Sequence, residues 1–162
     1  MSAAFDPVRA LRALVAHEVR FVVVGGFGAW IHGAPVMTAD VDIVFDASTE
    51  NTERLAAALR SLGAVYRDPL GRQIEPDAAG LASTGGGGHH LFTTDAGDLD
   101  TLRESGGARY DGLRVNAVEM EIEDLRIFVA SLRDIIEMKT KAGRPKDLVA
   151  LPVLRAALDD DG

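Results

Sequence analysis

The stretch Asp40-Val41-Asp42-Ile43-Val44 constrains this chain more than any other. Its β-branched content marks a strand, and alternate residues of a strand share a face, with α-carbons about 6.6 Å apart. Asp40 and Asp42 therefore project from the same side at the head of an apolar strand. Buried strands normally carry Leu, Ile or Val inward, so here both faces cannot be apolar. Two convergent carboxylates are hard oxygen ligands of the kind that suit Mg²⁺, a cation commonly shared with substrate phosphates. The competing reading is an exposed strand end with two solvated acids.

A second β-branched run, Arg20–Val24, precedes it and stops abruptly at Gly25-Gly26. Phe27–Ile31 then reads as a short helix closed by His32-Gly33-Ala34-Pro35. Two glycines between strand and helix let a backbone approach a ligand closely, and a helix N-terminus offers free N–H groups to an anion. A tight turn without a ligand explains them equally simply. The spacing does not fit the dinucleotide-binding fingerprint.

Around this centre the remaining elements follow from period and punctuation. Asp6-Pro7 starts a helix over residues 7–18, and Ser48 or Thr49 caps another over 50–62, ended by Gly63. Strand pattern recurs at Leu91–Thr94, Asp98–Leu102, Leu113–Val118 and Arg126–Val129. Ser131 caps a helix that runs to Lys141 and stops near Gly143, and Pro145 starts a further helical stretch that Pro152 interrupts. Residues 68–90, rich in Gly and Pro, predict one or two short strands and a mobile loop. The expectation is an α/β (α+β) domain spanning 1–162, a mixed β-sheet flanked by helices. The C-terminal helices from about residue 131 extend its core.

A third acid enters with Gly97-Asp98-Leu99-Asp100, where Asp98 and Asp100 again share a face and periodicity does not choose between them. Metal-assisted phosphoryl chemistry uses several carboxylates, some holding the ion and one preparing the attacking hydroxyl. A glycine pair, an Asp-x-Asp strand and a later acidic strand, in that order, point to nucleotidyl transfer.

These residues carry a resemblance. Gly25-Gly26, His32-Gly33, Thr38-x-Asp40-x-Asp42, Asp100 and the stretch Lys139–Asp147 resemble the minimal nucleotidyltransferase superfamily. They are similar above all to the AbiEii-type toxin-like nucleotidyltransferases of AbiE toxin–antitoxin systems. The likeness runs from about Arg20 to Leu154. It implies that Asp40, Asp42 and Asp100 are catalytic and bind one or two Mg²⁺ ions, with Asp100 as the base for the acceptor hydroxyl. It also implies nucleotide binding by Gly25, Gly26, Thr38, Lys139, Arg144, Lys146 and Asp147, the two glycines on the β- and γ-phosphates and Asp147 orienting a cation. The implied activity moves an NMP from an NTP to a hydroxyl on RNA (a tRNA 3′ end), protein or a small molecule, and releases pyrophosphate. An antitoxin is the implied partner. Two positions depart from those relatives: Val36 stands where arginine is common, and Ala150 where an acid is common.

Other conspicuous residues read more simply. The four-glycine run Gly85–Gly88 lacks the Lys-Ser/Thr ending of a P-loop. Adjacent His89 and His90 point to opposite faces of a strand. Trp30 and Phe27 read as core or stacking residues, and His32 as a cap or a nucleotide contact. Seventeen Lys and Arg against 25 Asp and Glu give a net charge of −8, so no general nucleic-acid footprint is present. The chain has no cysteine, which excludes disulfides and thiolate chemistry. No apolar run reaches the length of a membrane span, and a cytoplasmic location is expected. The rival class is a binding module, a chain of the same fold that holds an NTP or a partner without turnover. An antibiotic adenylyltransferase is a variant of the enzyme class.

Overall fold

Alternation along β1 (Phe21–Val24) and β2 (Asp40–Phe45) decides how the sheet is covered. In a computed structural model, which describes residues 3–161, Val23, Val41, Ile43 and Phe45 face one side and Val22, Val24 and Val44 the other. The first side packs on α1 (Pro7–Ala16) and α3 (Thr49–Ser61) through Leu11, Leu14, Leu55 and Leu59. The second packs on α6 (Leu132–Ala142) and α7 (Pro145–Asp161) through Ile135, Met138 and Leu154. Each side excludes water over its own apolar cluster, so the sheet is a shared wall between two cores.

Seven strands form the sheet in the order β3-β4-β5-β2-β1-β9-β8. The remaining members are β3 (Val65–Tyr66), β4 (His89–Thr94), β5 (Gly97–Leu102), β8 (Val118–Ile122) and β9 (Leu125–Val129). The β2–β5 and β1–β9 pairs are parallel and the other four antiparallel, which makes the sheet mixed, as expected. A separate hairpin pairs β6 (Glu104–Ser105) with β7 (Ala108–Arg109). The β2–β5 register sets Asp40 beside Asp98 and Asp42 beside Asp100.

The caps read from sequence are in place. Asp6 accepts from the Arg9 amide at 3.1 Å, Ser48 from Asn51 at 3.3 Å and Ser131 from Asp134 at 3.0 Å. Gly143 ends α6 at φ 61°, the left-handed conformation a C-terminal glycine supplies.

Three segments differ from expectation. Leu113–Val118 is not a strand: α5 (Tyr110–Asn116) occupies most of it, and β8 begins at Val118. Only Leu113 of this helix is buried, so the apolar alternation at 113 and 115 reflects one core contact and one exposed valine. Pro152 does not interrupt α7, because Leu151 and Leu154, both buried, hold the helix to the core on either side of it. Residues 68–88 form no strand; they contain α4 (Ala78–Ala82), capped by Asp77, and a single 3₁₀ turn over Gly85–Gly88.

Candidate active site

The face of β2 that carries Val44 into the second core carries Asp42 and Asp40 beyond the end of that core. β5 repeats the arrangement with Leu102, Asp100 and Asp98. Oxygens of Asp40, Asp42 and Asp100 lie within 4.8 Å of one another, close enough to hold one metal ion. The sheet thus resolves the choice that periodicity leaves open: Asp100 joins the cluster. Asp98 lies outside that cluster, and Arg67 pairs with both Asp98 and Asp100.

Asp42 is the most perturbed group. Its Oδ1 is sealed from solvent and has no hydrogen-bond partner among the described residues. Burial first, then the charges of Asp40 and Asp100, push its pKa up to about 8, with Lys139 pulling the other way. Burial also raises Asp100, opposed by Arg67 and reinforced by Asp40. A buried acceptor without a donor is costly, and three hard oxygen donors around it fit a divalent cation in both charge and chemistry.

Gly25 begins α2 (Gly25–Ile31) at φ +68°, and a Cβ there would lie 2.9 Å from Cγ of Asp42 and collide with its carboxylate. That glycine is what lets the strand end turn directly beside the acid. Gly26 is different: a Cβ there would sit 3.5 Å from Thr38 Oγ1, an ordinary contact. Thr38 donates its hydroxyl to the Asp40 carbonyl at 3.0 Å, pinning the loop that leads into β2.

On the opposite wall, α6 and α7 meet at Asp147, which is fully buried. Arg144 Nε reaches it at 2.6 Å and Lys139 Nζ at 3.4 Å. Burial works to raise its pKa, yet the hydrogen bonds and charges of Arg144 and Lys139 prevail and lower it. Asp147 therefore holds two cations over the acid cluster.

Two clefts flank the triad and share Asp42, Asp100, Lys139 and Arg144. One, of about 400 Å³, is lined further by Gly26, Thr38, Asp40 and Lys146. The other, of about 430 Å³, continues past Gly25, His89, Leu91, Met138 and Asp147. Val36 and Ala150, the two positions that depart from the resembled relatives, both line the first cleft. Gly25, Gly26, Thr38, Asp40, Asp42, Asp100, Lys139, Arg144, Lys146 and Asp147 each line one or both of these spaces, whereas His32 lines neither.

By sequence the chain matches no family model and no curated protein. By structure it is similar to the antibiotic-resistance factor ANT(2'')-Ia, with a TM-score of 0.62 at 15% identity over 96% of this chain and 82% of that one. It is also similar to the lincosamide antibiotic adenylyltransferase LnuA bound to lincomycin, with a TM-score of 0.61 at 15% identity over 97% and 99% of the two chains. The candidate nucleotidyltransferase TM1012 of Thermotoga maritima gives a TM-score of 0.55 at 18% identity over 98% and 97%. The chain has the nucleotidyltransferase fold.

Within that nucleotidyltransferase fold, one site residue escapes sequence reasoning. Arg67 follows the two-residue strand β3 and bonds Asp98 and Asp100 from the far side of β4. Nothing local marks it; only the β3–β4–β5 pairing brings it there. The aromatic and histidine readings also settle structurally. Phe27 is buried, and Trp30, half exposed, stacks on it with ring centroids 5.7 Å apart. His32 Nε2 lies 2.8 Å from the Ala130 carbonyl and ties the end of α2 to the end of β9. His90 is buried against Ser83 and Tyr66, while His89 is exposed beside the second cleft. Among the described residues, no helix is long and apolar enough to cross a membrane.

Proposed function

We propose that this protein is a metal-dependent nucleotidyltransferase that moves an NMP from an NTP to a hydroxyl acceptor. The observation that carries the reading is the buried, unpaired Asp42 oxygen at the centre of three converging carboxylates, faced by two cations that Asp147 holds in place. Carboxylates alone repel a triphosphate, and cations alone bind one without activating it. Their juxtaposition across a cleft serves both needs.

In this reading the triphosphate lies in the cleft lined by Gly26, Lys139, Arg144 and Lys146, and the acceptor enters from the cleft lined by His89, Leu91 and Met138. A divalent cation, Mg²⁺ being the best match to an all-oxygen donor set, supplies Lewis acidity toward the phosphate oxygens when Asp40, Asp42 and Asp100 hold it. Asp100 takes the proton of the acceptor hydroxyl as general base. The acceptor oxygen bonds to the α-phosphorus, the bond from that phosphorus to the bridging oxygen breaks, and pyrophosphate leaves. Gly25 and Gly26 keep the backbone low enough for the phosphates to approach Asp42.

Two acceptor classes have separate support. The sequence resemblance to AbiEii-type toxins points to an RNA 3′ end and to an antitoxin partner. The likeness in fold to ANT(2'')-Ia and LnuA points to a small molecule, and the net charge of −8 suits a small acceptor better than a polyanion. The test incubates the protein with Mg²⁺ and each α-labelled NTP against total RNA, total protein, and a panel of aminoglycosides and lincosamides, with D42A alongside. Label that appears in one acceptor class and is lost in D42A supports transfer and names the class. NTP binding with no label in any acceptor overturns transfer in favour of a binding module.

A further inference from the structure

The sheet register places four residues in one row. Asp42 lies beside Asp100 on β5, Asp100 opposite Leu91 on β4, and the Arg67 amide donates to the Leu91 carbonyl at 2.9 Å. Residues directly opposite one another share a face, so the Arg67 side chain starts on the face of the acid cluster, two strands from Asp100. Two inter-strand spacings come to about 9.6 Å, a gap an extended arginine spans. It does span it: Nη1 reaches Asp98 Oδ2 at 3.0 Å and Nη2 bonds Asp100 Oδ1. Thr93 Oγ1 meets the other oxygen of Asp98 at 3.4 Å and steadies that end. Arg67 lines neither flanking cleft, so it is placed to act through Asp100 rather than on a nucleotide.

We propose that Arg67 is a positioning residue for the transfer reaction: its guanidinium fork, anchored on Asp98, fixes the orientation of the Asp100 carboxylate within the acidic cluster. Two carboxylates that periodicity cannot tell apart thereby receive different tasks. Asp98 is spent on holding Arg67, and Asp100 keeps Oδ2 outside the Arg67 bond. A lysine would carry the charge but not the fork that links two carboxylates. The inference rests on the nucleotidyl-transfer reading above and adds a residue to it.

The experiment compares wild type, R67A, R67K and D98N by NTP transfer kinetics and by Mn²⁺ binding to the free protein, with thermal unfolding as a check of folding. R67A is expected to lower kcat roughly ten- to a hundredfold, as loss of an orienting neighbour does, with KM for the NTP within about threefold of wild type. Mn²⁺ should bind R67A severalfold more tightly, because a positive charge beside the acids is gone. R67K should restore the wild-type Mn²⁺ affinity while recovering only part of kcat, and D98N should show a milder form of the R67A defect. Unchanged kcat in R67A overturns the proposal. So does weaker Mn²⁺ binding together with lost turnover, which would mark Arg67 as merely structural. Wild-type protein that moves no label overturns the transfer reading itself, and that result is visible before any variant is compared.

Discussion

Asp42 and Asp147 face each other across the same cleft, and both lose water, but the protein treats them in opposite ways. Asp147 accepts from Arg144 and Lys139 and has its pKa lowered. Asp42 has two acids as neighbours and an oxygen with no partner, and burial with those acids raises it to about 8. Buried carboxylates are ordinarily paired. The satisfied one builds the site's cationic wall; the unsatisfied one is left for a ligand that the chain does not itself contain. Burial alone therefore does not identify a functional acid. The missing partner does.

The comparison breaks most severely at Asp42. Asp42→Ala should cut transfer about a thousandfold or more, roughly 4 kcal/mol of transition-state stabilisation, while leaving the metal-free fold as stable as wild type or more so. Initial rates and thermal unfolding in EDTA check the two halves of that statement. Gly25→Ala comes next, because its Cβ would strike the Asp42 carboxylate and its φ is positive. A loss of about a hundredfold in kcat is expected from displacing a reacting group by roughly an ångström. Gly26→Ala, with ordinary clearance, should retain most activity, and equal losses in the two variants would contradict the assignment.

At Asp147 the expected effect is on stability. Asp147→Ala removes the acceptor of two cations, but Arg144 is 60% exposed and can return to water. The cost should be about 2 kcal/mol rather than the larger penalty of stranding a sealed charge, as read by urea unfolding. KM for the NTP should rise at the same time, since Lys139 and Arg144 lose their anchor.

The last effect is a dependence of stability on pH. Asp42 ionises near pH 4 in the unfolded chain and near 8 in the fold. Between those values the folded state binds the extra proton, so this contribution to stability is fully present below about pH 4 and is lost as pH rises through 8. Asp68 and Asp124, held at about 2 by hydrogen bonds from Arg72 and Arg12, titrate below that window and carry the opposite sign. In EDTA, Tm should fall from pH 5 to 8.5; Asp42→Asn should flatten the slope, and Mg²⁺ should oppose it by binding the ionised cluster.

What could be read beforehand was whatever is local. The Val22–Val24 and Val41–Phe45 strands, the caps at Asp6, Ser48 and Ser131, and the shared face of Asp40 and Asp42 are all set by near neighbours. The failures have tertiary causes. Tyr110–Asn116 is a helix with one buried residue, too little for its period to show. Pro152 sits in a helix that Leu151 and Leu154 hold in place. Arg67 belongs to the site only through pairings across β3, β4 and β5, and the choice between Asp98 and Asp100 needed the three-dimensional cluster that brings Asp100, and not Asp98, together with Asp40 and Asp42.

The parallel pairing of β2 with β5 has a kinetic consequence. It joins segments nearly sixty positions apart and sets Asp40 against Asp98 and Asp42 against Asp100. Distant pairings form slowly, and like charges set side by side oppose them. Closing these two strands should be the late, hesitant step of assembly, and a divalent cation present during refolding should hasten it. Refolding time courses with and without Mg²⁺ would then differ in wild type and coincide in Asp42→Asn, so that the ion assists the chain's birth before it assists any reaction.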